Sequence, residues 1–251
     1  MTRTEHPPVE DATAAILVIG DEVLAAGVED INSVFLCRRL CELGVAVRRV
    51  VVLPDVIDEI AAEVAACAPR YTHLITTGGV GPTHDDVTMQ GVAAGLGVSL
   101  FRNPESEAVI RNFYGEDMTE AALAMADLPE GAALIGGPGM RFPVIRVNNV
   151  WVFPGSPHLL KTKFNAVSGH FKSTPFVTCA LRLNAGEPEI APFLARVQED
   201  HPRVAIGSYP QEPGQPVRLI LTLKSKDADA LDATRKALEA GLAEYLEAPV
   251  D

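Results

Sequence analysis

Short apolar runs that alternate with helical patterns constrain the fold of this chain most strongly. Residues 14–19 form a continuous apolar run of strand length, and a Val-rich run follows over residues 45–53. A third run, over residues 73–77, leads into a glycine-rich loop. Continuous apolar runs are typical of strands covered on both faces, as in parallel sheets. Helical patterns separate these runs, so the sequence predicts right-handed βαβ units and a mostly parallel, doubly wound α/β sheet.

The spacing of apolar residues predicts the other elements of this first region. It predicts short strands over residues 133–135, 144–147 and 150–153, with a turn at Asn148-Asn149, and helices over residues 31–43, 56–68, 86–96, 104–114, 119–126 and 158–170. Asp30 or Asn32 could cap the helix over 31–43, and Asp55 the next one, because both residue types accept hydrogen bonds from free helix N–H groups.

The rhythm of the sequence changes after Ser173-Thr174-Pro175. Patterns beyond this linker predict a strand over 176–184, a helix over 188–199, strands over 204–208 and 217–224, and a helix over 228–246. The order βαββα predicts a small α+β domain. We therefore expect a flexible tail over residues 1–11, an α/β domain over residues 12–172 and an α+β domain over residues 176–251.

Charge and composition exclude several classes of protein. The chain has 33 acidic and 21 basic residues, which makes it a poor candidate for coating nucleic acid. The first eleven residues lack the pattern of a signal peptide, and no apolar stretch approaches the roughly 20 residues of a membrane span. The four cysteines are sparse and lack metal-ligand spacing, which predicts buried, reduced thiols. We expect a cytoplasmic protein with no nucleic-acid or membrane partner.

The loop after the third strand carries the strongest functional signal. Gly78, Gly79 and Gly81 allow φ > 0 and close approach of a ligand. The helix that follows offers free N–H groups and the positive end of its dipole to an anion. The loop lacks the Gly-Lys-Ser/Thr of a P-loop and the spacing of the dinucleotide Gly-x-Gly-x-x-Gly pattern. A tight turn with Asp85 or Asp86 as helix cap is the alternative interpretation.

The adjacent carboxylates of Asp85 and Asp86 favour the functional interpretation. They would repel phosphate unless a cation bridged them, and hard divalent cations bind carboxylates together with substrate phosphate. Both residues are therefore candidate metal ligands, or one could orient a water molecule. His84 could contact phosphate, act as a base or simply be exposed. The cationic side chains that could pair with ligand phosphate are Arg102, Arg141, Lys161 and Lys163. Met118, Met125 and Met140 most simply fill the core.

The segment Thr77-Gly-Gly-Val-Gly-Pro-Thr-His-Asp-Asp-Val-Thr88 resembles the signature of the MoaB/Mog family of molybdopterin-binding domains. The longer form of this signature, Gly-Pro-Thr-x-Asp-Asp-x-Thr, resembles the branch found at the N-terminus of CinA proteins and of FAD synthases. Residues 19–24, 30–33, 54–55, 128–132 and 152–157 also resemble this branch, over a match of roughly residues 14–170, and the α+β domain looks like it as well. Residues 136–143 are nearer to the FAD-synthase version. Neither a deamidase nor a nucleotidyltransferase domain is recognised, so neither activity is assigned.

The resemblance implies a site for a phosphorylated pterin or nucleotide, because members of this branch include metal-dependent pyrophosphatases acting on FAD or ADP-ribose. It implies that Asp85 and Asp86 are catalytic and hold a divalent cation (Co, Mg or Mn) or water. Phosphate would be bound by Thr77, Gly78, Gly79, Gly81, Pro82, Thr83 and Thr88. The residues implied to line the same crevice are Gly20, Asp21, Glu22, Asn32 and Asp55, with Gly155 and Ser156 as a second anion-binding turn.

Three functions remain open at this point. The first is a metal-dependent pyrophosphatase that acts on a dinucleotide such as FAD or ADP-ribose. The second is a protein of molybdenum cofactor biosynthesis that holds molybdopterin without hydrolysis. The third is a non-catalytic regulatory or oligomerisation module. The family resemblance leads us to expect a homodimer or homotrimer, and the final helix could serve a subunit contact.

Overall fold

The computed structural model describes residues 12–136, 140–212 and 214–247. The chain divides into two compact units, Met1–Ser173 and Thr174–Asp251. The tail predicted over residues 1–11 lies outside the described residues. No helix within the described ranges is long and apolar enough to cross a membrane.

The first unit alternates strands and helices along most of its length. Its strands are β1 (Thr13–Ile19), β2 (Ala46–Leu53), β3 (His73–Thr77), β4 (Leu100–Arg102), β5 (Asp127–Pro129), β6 (Ala133–Ile135), β7 (Val144–Val147) and β8 (Val150–Phe153). Its helices are α1 (Asp21–Leu24), α2 (Ile31–Glu42), α3 (Ile57–Cys67), α4 (Thr88–Leu96), α5 (Pro104–Tyr114), α6 (Glu120–Ala124) and α7 (Pro157–Val167). Two 3₁₀ turns follow α5 and α7, at Gly115–Asp117 and Ser168–Phe171.

The main sheet has the strand order β2-β1-β3-β8-β7-β6. Its first four strands are parallel, with Ile16 opposite Val50 on one side and Ile75 on the other. The last two strands are antiparallel, because β7 and β8 form a hairpin in which Asn148 adopts a φ of +52°, a conformation that asparagine tolerates. The prediction of a mostly parallel sheet is confirmed.

Helices cover both faces of this sheet, which explains why β1 is apolar throughout. Alternate side chains of β1 enter two separate cores, because successive residues of a strand point to opposite faces. One core joins Ile16 to side chains of α2 and α7, including Leu36, Leu40, Leu160 and Phe164. The other joins Leu17 to side chains of α3 and α4, including Ile60, Val64 and Val92. The doubly wound arrangement predicted from the apolar runs is therefore present.

Two sequence predictions about where helices begin need correction. Asp30 caps α2 as predicted, since its carboxylate accepts from the Ser33 N–H at 2.9 Å. The predicted cap Asp55 is wrong, because α3 begins after Val56 and the Asp55 carboxylate accepts from the Asp21 N–H at 2.9 Å. The helix predicted over 86–96 begins only at Thr88, because the Asp86 carboxylate accepts hydrogen bonds within the preceding loop.

Several features were not predicted. The strands β4 and β5 pair with each other in a separate two-stranded sheet, which no local pattern indicates because their partners are distant in sequence. The short helix α1 follows β1 directly. All four cysteines are free thiols, but only Cys67 is buried, so the prediction of buried cysteines holds for one of the four.

The second unit has the predicted order βαββα. It contains β9 (Val177–Leu183), α8 (Glu187–Asp200), β10 (Ala205–Pro210), β11 (Leu219–Ser225) and α9 (Ala228–Gly241). Its antiparallel sheet has the order β10-β11-β9, and both helices pack on its apolar face. The helix predicted over 228–246 ends at Gly241. Beyond it the chain turns so that Leu246 bridges to Leu183, a pairing with β9 that a longer helix would prevent.

Candidate functional site

The glycine-rich loop leaves the carboxyl end of β3 at a point of close backbone contact. Gly78 has a φ of +106°, which side chains rarely adopt, and a Cβ at this position would lie 1.9 Å from the carbonyl oxygen of Ile19. Its N–H donates to the Phe153 carbonyl at 3.2 Å. The loop is thus held between the ends of β1 and β8, where open α/β sheets bind their ligands.

Three of the predicted ligand-binding side chains face the protein and shape the loop. The buried Thr77 hydroxyl donates to the Pro154 carbonyl at 2.9 Å and accepts from Asn32 Nδ2 at 3.2 Å. Asn32 Nδ2 also donates to the Gly155 carbonyl at 2.7 Å. The fully buried Thr88 hydroxyl donates to the Gly78 carbonyl at 2.8 Å. These bonds join β3, α2, α4 and the segment after β8, so the three residues hold the loop in place from its protein-facing side.

The two aspartates of the motif have different surroundings. The Asp86 carboxylate accepts from the Thr83 N–H at 2.8 Å and from the Thr83 hydroxyl at 2.5 Å, which closes the loop. Asp85 is exposed, and hydrogen bonding to Thr83 holds the pKa of its carboxyl below the ordinary value. His84 is almost fully exposed, with its Nδ1 3.9 Å from Asp85. Asp86 is therefore built into the loop by two hydrogen bonds, whereas Asp85 is exposed at its surface.

Carboxylates from the neighbouring strand ends gather beside the loop. Burial raises the pKa of Asp55, and the charges of Asp21, Glu22 and Asp85 raise it further, while the hydrogen bond from the Asp21 backbone opposes them. This repulsion shows that the four carboxylates share one region. Within the described ranges, however, no group of three or more His, Cys, Asp and Glu side chains is placed to hold a metal ion. A divalent cation here would need oxygen atoms from a ligand as well.

A cavity of about 770 Å³ extends from this loop. Its volume lies within the range of sites for small molecules and cofactors. The predicted site residues that line it are Glu22, Gly78, Gly79, Gly81, Pro82, Thr83, Asp86, Gly155 and Ser156. The predicted residues that do not line it are Gly20, Asp21, Asn32, Asp55, Thr77, Asp85 and Thr88. The glycine loop thus lies at the cavity, and Asn32, Thr77 and Thr88 support it from outside the cavity lining.

Away from the loop, apolar and aromatic side chains line the cavity. They come mainly from α5, α6, α7 and the chain before β7, and include Leu100, Phe113, Tyr114, Met125, Phe142 and Leu159. Phe113 packs edge-on against Phe142, with ring centroids 5.0 Å apart. No predicted site residue belongs to this apolar and aromatic wall, and Met125, which was expected in the core, is part of it. The adjacent aromatic residues Phe113 and Tyr114, at the end of an amphipathic helix, are the sequence signal that could have found it.

Of the four cations proposed to pair with phosphate, Lys163 lines the cavity and the other three do not. Arg102 forms a bidentate pair with Asp127, at 2.5 and 3.1 Å. Arg141 lies over Phe113 and Lys161 over Phe35. Lys163 Nζ donates to the carbonyls of Phe142 and Pro143, at 2.8 and 3.2 Å, and burial lowers its pKa to about 8.

The fold and the site define a doubly wound α/β protein with a glycine-loop ligand cavity at the carboxyl ends of its strands. The family described as "Probable molybdopterin binding domain" matches residues 15–171, which is more than half of the chain. The chain belongs to this molybdopterin-binding family, and the MoaB/Mog prediction is confirmed. The family described as "FAD synthase, middle domain" matches residues 175–250.

Individual relatives agree with this assignment. The chain is 32% identical to a probable FAD synthase of Caenorhabditis briggsae, over 93% of this chain and 50% of that protein. It therefore spans about half the length of the FAD-synthase relatives that it matches. A protein of Aeropyrum pernix is 35% identical, over 92% of both chains. The solved structure of the protein CinA from Thermoplasma acidophilum has a TM-score of 0.59 and 27% identity, covering 64% of this chain and 99% of its own.

Proposed function

We propose that this chain binds a dinucleotide containing a pyrophosphate and hydrolyses it with the help of a divalent cation. One observation carries the proposal: a glycine loop suited to phosphate and an aromatic wall suited to a flat ring line the same cavity. A ligand that carries both groups would satisfy both ends of the cavity at once. The likeness to probable FAD synthases supports FAD as a candidate, with ADP-ribose as the second.

The chain's own groups suit the binding of pyrophosphate. Gly78, Gly79 and Gly81 bring the backbone to the cavity surface, and the positive N-terminal end of the α4 dipole follows the loop, with the Thr88 N–H donating to the Gly79 carbonyl at 3.0 Å. Thr83 and Asp86 hold the loop closed, so the N–H groups are positioned before the ligand arrives. Preorganised donors of this kind stabilise the negative charge that develops on a phosphate during hydrolysis.

A divalent cation fits the acidic side of this loop. Carboxylates are ligands that Mg²⁺ and Mn²⁺ prefer, and Mg²⁺ commonly binds one or two of them together with phosphate oxygens and water. Asp85 and Asp86 are the candidate ligands. A bound cation would also offset the repulsion between the Asp55 carboxylate and the acidic side chains near it. When bound, the cation would neutralise phosphate charge and lower the pKa of an attacking water.

Hydrolysis can be tested by incubating the protein with FAD or ADP-ribose, with and without Mg²⁺, Mn²⁺ or Co²⁺, and separating the products by chromatography. We expect metal-dependent release of FMN and AMP from FAD. Asp85→Asn and Asp86→Asn keep an acceptor oxygen for Thr83 but remove the charge, and each should lower the rate by at least about tenfold, since such cation ligands act directly on the reacting phosphate. Asp200→Ala, in the second unit, is the control. Absence of metal-dependent product from the unaltered chain would exclude the pyrophosphatase.

The family match itself favours a second candidate, a protein that binds molybdopterin without cleaving it. The same loop would hold the phosphate and the aromatic wall the pterin. Co-purified pterin fluorescence without turnover of either dinucleotide would support this function. Binding of neither ligand class would leave a non-catalytic regulatory or oligomerisation module. Sedimentation measures the homodimer or homotrimer that the resemblance leads us to expect.

A further inference from the structure

Lys163 occupies an unusual position on the helix α7. Ser156, Leu159 and Lys163 all line the cavity, and their spacing of three and four residues places them on one helix face. Lys163 donates to two backbone carbonyls, those of Phe142 and Pro143. An ammonium group has three donors, so one N–H remains. No carboxylate pairs with Lys163 in the described part of the chain, and Asp127, which also lines the cavity, pairs with Arg102.

The geometry of α7 separates Lys163 from the phosphate loop. Ser156 lies next to that loop, because a Cβ on its neighbour Gly155 would be 3.3 Å from the Cα of Gly78. Seven residues of α-helix then advance by about 10 Å to Lys163. The backbone of Lys163 is therefore about 10 Å beyond Ser156 along the helix axis, and its ammonium group is held at the carbonyls of Phe142 and Pro143. The carbonyls that Lys163 contacts belong to the segment of the aromatic wall that includes Phe142.

We propose that Lys163 is a specificity-determining residue that donates its remaining N–H to a carbonyl oxygen on the ring of the bound ligand. The proposal rests on the proposed function, which places phosphate at the glycine loop and the ring at the aromatic wall. An ammonium group has donors only, so it suits rings that carry carbonyl oxygens, such as those of flavins and pterins. Adenine carries an amine in place of a carbonyl oxygen, so only its ring nitrogens could accept from the ammonium group.

The charge balance of Lys163 agrees with this role. Burial of an ammonium group without a counter-ion is unfavourable and lowers its pKa, here to about 8. An oxygen acceptor with partial negative charge would favour the protonated form and make up for the missing hydrogen bond to water. An apolar residue at this position would pack against the same wall without selecting among rings.

Comparison of FMN and AMP binding tests the proposal, because each probe carries one phosphate and only FMN carries a ring with carbonyl oxygens. Flavin fluorescence measures FMN binding and calorimetry measures AMP binding, both with the full chain and without divalent cations. We expect Lys163→Met to weaken FMN binding about tenfold and to change AMP binding by less than about twofold, as loss of one charge-assisted hydrogen bond implies. Lys163→Arg should retain much of the preference for FMN. Lys161→Met, on the same helix but outside the cavity, is the control.

The outcomes separate this proposal from the pyrophosphatase. An unchanged ratio of FMN to AMP affinity in Lys163→Met, or equal weakening of both, would overturn the role of Lys163 even if the chain hydrolyses FAD. A selective loss of FMN binding would support that role even if the chain hydrolyses nothing. Because the readout is a ratio of affinities, partial unfolding of a variant does not mimic it. Binding of neither probe to the unaltered chain would overturn the role of Lys163, and the hydrolysis assay would then decide the pyrophosphatase separately.

Discussion

Replacement of Gly78 by alanine tests the close contact on which the ligand loop depends. The added Cβ would lie 1.9 Å from the Ile19 carbonyl oxygen and 3.1 Å from the carbonyl carbon. Both neighbours are backbone atoms of β1, a central strand, so no flexible side chain can move aside. Either the loop or the end of β1 must shift by about 1 Å to restore a normal contact, and overpacking of this kind destabilises by about 1–3 kcal/mol.

A second contribution comes from the backbone conformation. The φ of +106° at Gly78 is unfavourable for alanine and adds about 1–3 kcal/mol. Together the two effects predict a loss of roughly 2–6 kcal/mol, against a typical stability of about 5–15 kcal/mol for a domain. Gly97→Ala is a matched control, because Gly97 ends α4 with a φ of +68° but a Cβ there would meet nothing within 4 Å. Its expected loss is about 1–2 kcal/mol, from conformation alone.

The chain provides its own probe for this comparison. Trp151 is the single tryptophan, and it is buried in a core of the first unit. Urea unfolding followed by Trp151 fluorescence therefore reports the free energy of unfolding of that unit. We expect Gly78→Ala to be less stable than Gly97→Ala by at least about 1 kcal/mol, since only the former clashes. FMN binding should weaken in Gly78→Ala alone. Equal stabilities and equal FMN affinities would refute the argument that this backbone contact requires glycine.

Two further predictions use the same fluorescence assay. Thr88→Val should destabilise the first unit by about 1–3 kcal/mol, because it removes a fully buried hydroxyl that donates to the Gly78 carbonyl. The control Thr162→Val removes an exposed hydroxyl that donates to the His158 carbonyl, and it should change stability by less than about 0.5 kcal/mol. Similar losses in the two variants would contradict the role of Thr88 in holding the loop. Burial lowers the pKa of His73 below its ordinary 6.5, so the folded state binds its proton more weakly than the unfolded state does. The contribution of neutral His73 to the free energy of unfolding is therefore fully present above about pH 6.5 and is lost as pH falls toward the pKa of His73 in the folded state. His73→Phe should accordingly lose less stability than the unaltered chain between pH 7.5 and 5.5, and parallel losses would show that His73 makes no such contribution.

The fold of the first unit could largely be predicted from sequence because its signals are local. Residues 14–19 are apolar at every position, and the structure buries both faces of that strand. The caps show the limit of such local patterns. Asp30 and Asp55 both precede predicted helices, yet only Asp30 caps one, because the end of β1 brings the Asp21 N–H within reach of Asp55. Residue type indicates what a side chain can bond, but only packing decides which donor comes near.

The site divides in the same way. The glycines, Thr83, Asp85 and Asp86 lie together in one motif, so sequence alone located the loop and its suitability for an anion. The aromatic wall is built from segments that are distant along the chain, such as Phe113 and Phe142, and no local periodicity brings them together. Lys163 was one of four candidate cations until α7 placed it in the cavity. The sequence determined the strands, the helices and the glycine-rich loop because these depend on neighbours in the chain. Tertiary structure decided which apolar and aromatic residues line the cavity beside that loop, because long-range contacts form only when the two layers of helices pack on the sheet.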